Sequence, residues 1–227
     1  MKTTHKNHRR GFTLVELLAV ITILGILIAV MVPNIQNAMR GAKQSAALNS
    51  LRNIVMAFTN YSSNSGIITE GTDPKKGEAN DVAGVAEILA SYANSLEAAP
   101  WYIDSDKKLE SEIPAQVLEN GKSGTNKLRN VKPIAWAVVL NAKKSKIRDS
   151  NYPLLWTRGL KSDGTWDEDN SPWGSEGGHI AFGDAHVKWY INLTGKQQLI
   201  HYETGKETSN YQDAIGTGNT KRIEDTL

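Results

Sequence analysis

Residues 12–32 form an unbroken run of 21 residues that is apolar except at Thr13, Glu16 and Thr22, and a chain carrying such a run has few ways to fold. An α-helix needs about 20 apolar residues to cross a bilayer at 1.5 Å per residue, and the run meets that length. A cleaved secretory signal has a shorter apolar core, about 7–15 residues, followed by a small-x-small site. Here Ala29-Val30-Met31 is a poor site and the helical pattern continues beyond it. Lys2, Lys6, Arg9 and Arg10 precede the run with no acid among them, which predicts a cytoplasmic N-terminus. The whole chain has a net charge of +2, which those four cations more than account for, so a basic nucleic-acid-binding face is not expected. There is no cysteine, which excludes disulfides and thiolate catalysis.

Glu16 is the one charged residue within the run. An ionised group at a helix centre is disfavoured by about 2.5–3.5 kcal/mol, and less near an end. Either Glu16 rests in the headgroup zone, or it has a partner inside an assembly.

The basic leader followed by Arg9, Arg10, Gly11, Phe12, Thr13, Leu14, Val15, Glu16, Leu17 and Leu18 resembles the processing site of type IV prepilins and type II secretion pseudopilins. The resemblance implies that a prepilin peptidase cuts between Gly11 and Phe12 and methylates the new Phe12 amine. It implies that Glu16 pairs with the Phe12 amine of a neighbouring subunit, and that Pro33 marks a local break in the helix. It also implies partners: the peptidase, further copies of this chain or other pseudopilins in a filament, and an inner-membrane assembly platform. The chemistry is coherent. A cleaved Phe12 supplies a cation and Glu16 an anion, both disfavoured if left unpaired in lipid, and an incoming subunit neutralises both. Gly11 leaves the backbone open to close approach by the peptidase.

Periodicity carries the helix past the membrane. Ile35, Met39, Ala42, Ala46, Leu48, Leu51, Val55 and Phe58 recur mostly at three- and four-residue steps until a Ser/Asn/Gly cluster at 62–66. Such a helix is about 75 Å long. Its first half suits lipid or a filament core, and its second half suits packing on a globular domain. A second helix is expected from Asp81 as cap, carrying Val82, Val85, Ala86, Leu89, Ala93 and Leu96, with Pro100 closing it. Residues 104–132 read as loop. Strand-like runs follow at 134–140, 153–157, 179–182 and 187–191, the last two joined as a hairpin by Gly183, Asp184 and Ala185. From 203 the chain is polar and reads as a flexible or partner-covered end.

The expected organisation is a leader at 1–11, a membrane or filament-core helix at 12–33, an amphipathic helix at 34–62, a globular domain at 63–202 and a polar tail at 203–227. The fold class is α+β and pilin-like: a long N-terminal α-helix packed on an antiparallel β-sheet of about four strands.

The late sequence, from Pro153 to Gly159 and from Gly177 to Val187, is also similar to the C-terminal motif of a large pseudopilin-like group. There the hairpin commonly reads Phe-x-Asp-Gly-His-Val, and this chain has Ala185 where glycine is usual. His179, Asp184 and His186 invite a zinc reading, but a turn aspartate and two solvent-side histidines explain them better. Asp163, Asp167, Asp169 and Asn170 lie in an oxygen-rich loop that suits calcium, although a solvated acidic turn explains it more simply. The resemblance adds that major pseudopilins commonly hold calcium in a late loop. Trp136, Trp156, Trp166, Trp173, Trp189 and Tyr190 read as sheet core. No nucleophile–base set, phosphate loop or paired carboxylates stand out, so no enzyme is expected. The expected function is a structural subunit of a type II secretion pseudopilus, with a type IV pilin for adhesion, motility or DNA uptake as the alternative. A membrane-anchored carbohydrate-binding or hydrolytic protein is the third reading.

Overall fold

The computed structural model describes residues 12–93, 97–109, 111–216, 218 and 220–225. In chain order the elements are α1 (Leu14–Asn64), β1 (Thr69–Glu70), β2 (Glu78–Ala79), α2 (Val82–Ala93), β3 (Trp136–Leu140), β4 (Pro153–Thr157), β5 (Gly178–Phe182), β6 (Val187–Tyr190), β7 (Leu199–Ile200), β8 (Glu207–Thr208), α3 (Tyr211–Ile215) and β9 (Lys221–Ile223). The chain divides into two units, Met1–Ala42 and Lys43–Leu227.

In the first unit the described residues are mostly α1, and its large apolar side chains are exposed from Leu14 through Met39. This stretch is long and apolar enough to cross a membrane. Two of its polar side chains bond back to the helix: Thr22 Oγ1 donates to the Leu18 carbonyl at 2.8 Å, and Asn34 Nδ2 donates to the Val30 carbonyl at 3.1 Å. Self-satisfaction of this kind is what hydrocarbon requires, because lipid offers polar groups no partner. Pro33 lies inside α1, which continues through it. The expected local break is therefore a gap in the hydrogen-bond ladder, since proline has no N–H, and not an interruption of the helix.

In the second unit the rest of α1 buries Ala47, Leu51, Ile54, Val55 and Phe58 in a core shared with the sheet. The three- and four-residue spacing puts them on one stripe, and full burial of each large side chain contributes roughly 1.5–3 kcal/mol. Asp81 caps α2 as expected, its Oδ1 accepting the Gly84 N–H at 2.6 Å. Leu96, expected on that helix, lies outside the described residues.

The main sheet is antiparallel with strand order β6-β5-β4-β3-β9. Every residue of β3, β4 and β5 is buried. Successive side chains alternate between faces, so both faces of these strands are covered. That is why they read as continuous apolar runs.

The polar tail expected at 203–227 needs correction. It supplies β8, α3 and β9, and β9 is the fifth strand, pairing Val138 with Ile223 and Leu140 with Lys221. Asp225 Oδ2 accepts the Ile134 N–H at 2.9 Å, and the Tyr152 hydroxyl donates to the Ile215 carbonyl at 2.9 Å. An edge strand is held mainly by backbone bonds and needs few inward apolar residues, so hydropathy did not reveal it.

The connections fall at opposite ends of the sheet. Residues 141–152 join β3 to β4 at one end, and residues 158–177 join β4 to β5 at the other. The β5–β6 turn shares the first end, where the Gly183 N–H donates to the Asp149 and Tyr152 carbonyls.

Candidate functional site

The start of α1 is a reciprocal cap. The Thr13 backbone N–H and hydroxyl donate to Glu16 Oε2 at 2.9 and 2.8 Å, and the Glu16 N–H donates back to Thr13 Oγ1 at 3.3 Å. This is the capping box expected of Thr-x-x-Glu ahead of an apolar run. The signal that finds Thr13 is its spacing of three residues ahead of Glu16 at the head of an apolar run. Phe12, just before the cap, is 81% exposed. Gly11 lies outside the described residues. The site is thus a carboxylate held one turn into an exposed apolar helix.

The loop expected to suit calcium is organised by its own backbone. Asp163 Oδ1 accepts the Thr165 hydroxyl at 2.7 Å and the Thr165 N–H at 2.9 Å, and these two bonds hold its carboxyl below the usual range. Asp167 Oδ1 accepts the N–H groups of Asp169 and Asn170 at 3.0 and 2.9 Å. Among the described residues no three His, Asp or Glu side chains converge as a metal site.

The Asn170 carbonyl accepts Arg158 Nε at 2.6 Å. Arg158 is fully buried, and its remaining nitrogens donate to the Ile134 carbonyl at 2.9 Å and to Asp106 Oδ2 at 2.8 Å. Three segments remote in sequence thereby meet on one guanidinium. Nothing in the sequence around Arg158 marked it, because its partners come together only in the fold.

The hairpin departs from expectation at one histidine. His179 is 2% exposed and packs edge-on against Trp189, ring centroids 4.8 Å apart. Burial pushes its pKa down to about 4. His186 is the solvent-side partner, with Nδ1 at 2.6 Å from Asp184 Oδ1 and its ring stacked on Phe182. Ala185 adopts φ +67, the left-handed conformation usual for glycine. Gly183 is required by close approach, since a Cβ there would lie 2.7 Å from the Ile147 and Asp149 carbonyl oxygens. Trp136, Trp156, Trp166 and Trp173 are buried, so they offer no exposed aromatic platform for a sugar.

An apolar helix with a capped carboxylate at its start, continuing into an α+β domain with an antiparallel sheet, defines a membrane-anchored protein of pilin-like architecture. Residues 6–32 match the family described as the prokaryotic N-terminal methylation motif. The type IV major pilin protein PilE1 of Neisseria gonorrhoeae is 33% identical over 134 residues, or 57% of this chain and 52% of that protein. The chain thus spans about half the length of this curated relative. No solved structure matches it. The chain is thus similar to a type IV pilin and carries the prokaryotic N-terminal methylation motif.

Proposed function

We propose that this protein is a structural filament subunit of the type II secretion pseudopilus class, cut by prepilin peptidase after Gly11 and assembled through α1 to support protein secretion. The observation that carries this reading is the methylation motif at residues 6–32, lying across the capped start of α1. Before assembly the N-terminus is cytoplasmic, α1 crosses the inner membrane and the sheet domain is periplasmic. The assembly platform and further pseudopilins are its partners. Mass spectrometry of membrane-extracted protein tests the processing step: the expected chain begins at N-methylated Phe12, and an intact leader in peptidase-positive cells sinks the reading.

The relative described as a major pilin favours a second reading, a type IV pilus subunit. Electron microscopy of sheared cells at native expression separates the two. Long surface fibres carrying this protein support the pilus, whereas fibres seen only on overexpression support the pseudopilus.

The 163–170 loop holds its shape in this reading without calcium, because Asp163 and Asp167 already cap their own turns. Equal melting temperatures in millimolar calcium and in chelator are expected. A rise with calcium restores the metal reading, since a ligand of the folded state alone stabilises it.

A further inference from the structure

We propose that the β3–β4 end of the sheet is a docking surface for a second copy of this chain, and that it receives the acidic 163–169 loop of that copy. The proposal rests on the filament reading above and adds to it a contact outside α1.

The β3–β4 connection carries Lys143, Lys144, Lys146 and Arg148 within six residues, against one acid, Asp149. Asp149 is taken by Lys146 at 2.7 Å. Lys143 and Lys144 are exposed, and among the described residues neither has a carboxylate within 4 Å. They line an open groove of about 680 Å³ whose lining also includes Thr220 and the ion pair of Lys221 with Glu70. Lys143 rests over the Tyr202 ring at 5.0 Å and among the described residues Lys144 has no such partner, and with three lysines against the single carboxylate of Glu70 the groove is net cationic and suits a carboxylate-bearing occupant.

The chain carries such an occupant at its other end. Residues 161–169 hold Asp163, Asp167, Glu168 and Asp169 against one cation, Lys161. Glu168 and Asp169 are exposed, and among the described residues no Lys or Arg lies within 4 Å of them. Their loop is tightly built, by the Asp163 and Asp167 turns and by Arg158 gripping the Asn170 carbonyl, so the carboxylates are presented on a fixed scaffold.

Topology forbids the two loops from meeting within one chain. They lie at opposite ends of β4, whose five residues at about 3.3 Å each separate them by roughly 16 Å. A contact between unlike patches of two copies is heterologous, and when its rotation does not close into a ring it propagates as an open filament. Each interior copy then has both of its charged ends neutralised. Exposed charge pairs of this kind set register and orientation more than total affinity, and salt screens them over about 8–10 Å. The contact therefore aligns domains along a filament whose cohesion comes from α1.

The chain has no native cysteine, so an introduced pair reads the contact cleanly. Full-length protein carrying both Lys144→Cys and Asp169→Cys, assembled in cells and treated with a short thiol cross-linker, should give a ladder of covalent multimers in sheared filaments. Either single variant alone should give none, because the contact pairs unlike positions. In a separate set, Glu168→Lys with Asp169→Lys should lower filament yield about tenfold, and adding Lys143→Glu with Lys144→Glu in the same chain should restore it to within about twofold. Wild-type filaments without a ladder from the double-cysteine protein overturn the docking contact and leave the filament reading intact. Cross-linking by a single-cysteine variant overturns it in favour of a like-to-like contact. Charge-swapped protein that melts as the wild type does yet assembles no better than the acidic-loop variant also overturns it. A wild-type chain that forms no filament removes both readings together.

Discussion

Thr13 and Glu16 hold each other across the first turn of α1, two donors of Thr13 meeting one carboxylate oxygen of Glu16 at 2.8–2.9 Å. The same carboxylate therefore has two separable properties. As an acceptor it closes its own helix, and it also carries a charge.

Two substitutions pull these properties apart. Glu16→Gln keeps an acceptor suited to the capping box and loses the charge. Thr13→Ala loses the cap, at a cost of about 1 kcal/mol, and keeps the charge. If pairing with the Phe12 amine of an adjacent subunit drives assembly, Glu16→Gln is processed and inserted but its filament yield collapses, while Thr13→Ala assembles. Loss of one partner from a buried ion pair costs about 3–5 kcal/mol, well above the loss of a cap. Sheared-filament yield against the membrane pool, by immunoblot, gives the order. The reverse order would assign the role of Glu16 to helix capping.

Arg158 and Asp106 predict a large effect on stability. Both are almost completely buried, and among the described residues Asp106 is the only carboxylate hydrogen-bonded to that guanidinium. In a soluble fragment starting at Gln36, Asp106→Ala should cost about 3–5 kcal/mol in urea unfolding, because an uncompensated charge remains in the core. Adding Arg158→Met should recover part of that loss. A single-variant loss below about 1 kcal/mol would remove the pair from the stabilising framework.

His179 makes stability depend on acid. Its folded pKa is pushed down to about 4, whereas an unfolded histidine titrates near 6.5, so the unfolded chain binds the extra proton first. The contribution is fully present above about pH 6.5 and is lost as pH falls towards 4, with no further loss from this group below that. Over that window the fragment should lose about 3 kcal/mol on this account. His179→Phe keeps a ring against Trp189 and should flatten the slope. An unchanged slope would place the titration elsewhere.

Ala185 is a residue the fold tolerates at some expense. A non-glycine residue in the left-handed region loses roughly 1–2 kcal/mol, partly offset on substitution by the greater unfolded-state freedom of glycine. Ala185→Gly should therefore stabilise by about 0.5–1 kcal/mol, and the melting temperature should rise by about 1–4 °C. A lower melting temperature would mean that the Ala185 methyl group contributes more through packing than its backbone conformation costs.

Much of the architecture was legible where sequence pattern and local physics coincide. The Asp81 cap, the four strands and the Gly183-Asp184-Ala185 turn all lie where propensity and spacing place them. The errors share a cause. Strand alternation places His179 on a wet face, and β5 has none. The tail looks loose in sequence because β9 contributes hydrogen bonds more than apolar surface.

The sequence by itself determined the membrane-competent helix, its charged start and the processing motif, because each depends on residues within a few positions of one another. Tertiary structure alone decided what depends on distant segments meeting. It brought Asp106, Ile134 and Asn170 onto Arg158, closed the sheet with β9, and set the basic and acidic loops at opposite ends of β4. Local pattern records which residues favour a helix, a strand or a turn. It does not record which remote partner will neutralise a buried charge or complete a strand's hydrogen bonds, since that is fixed only when the chain packs.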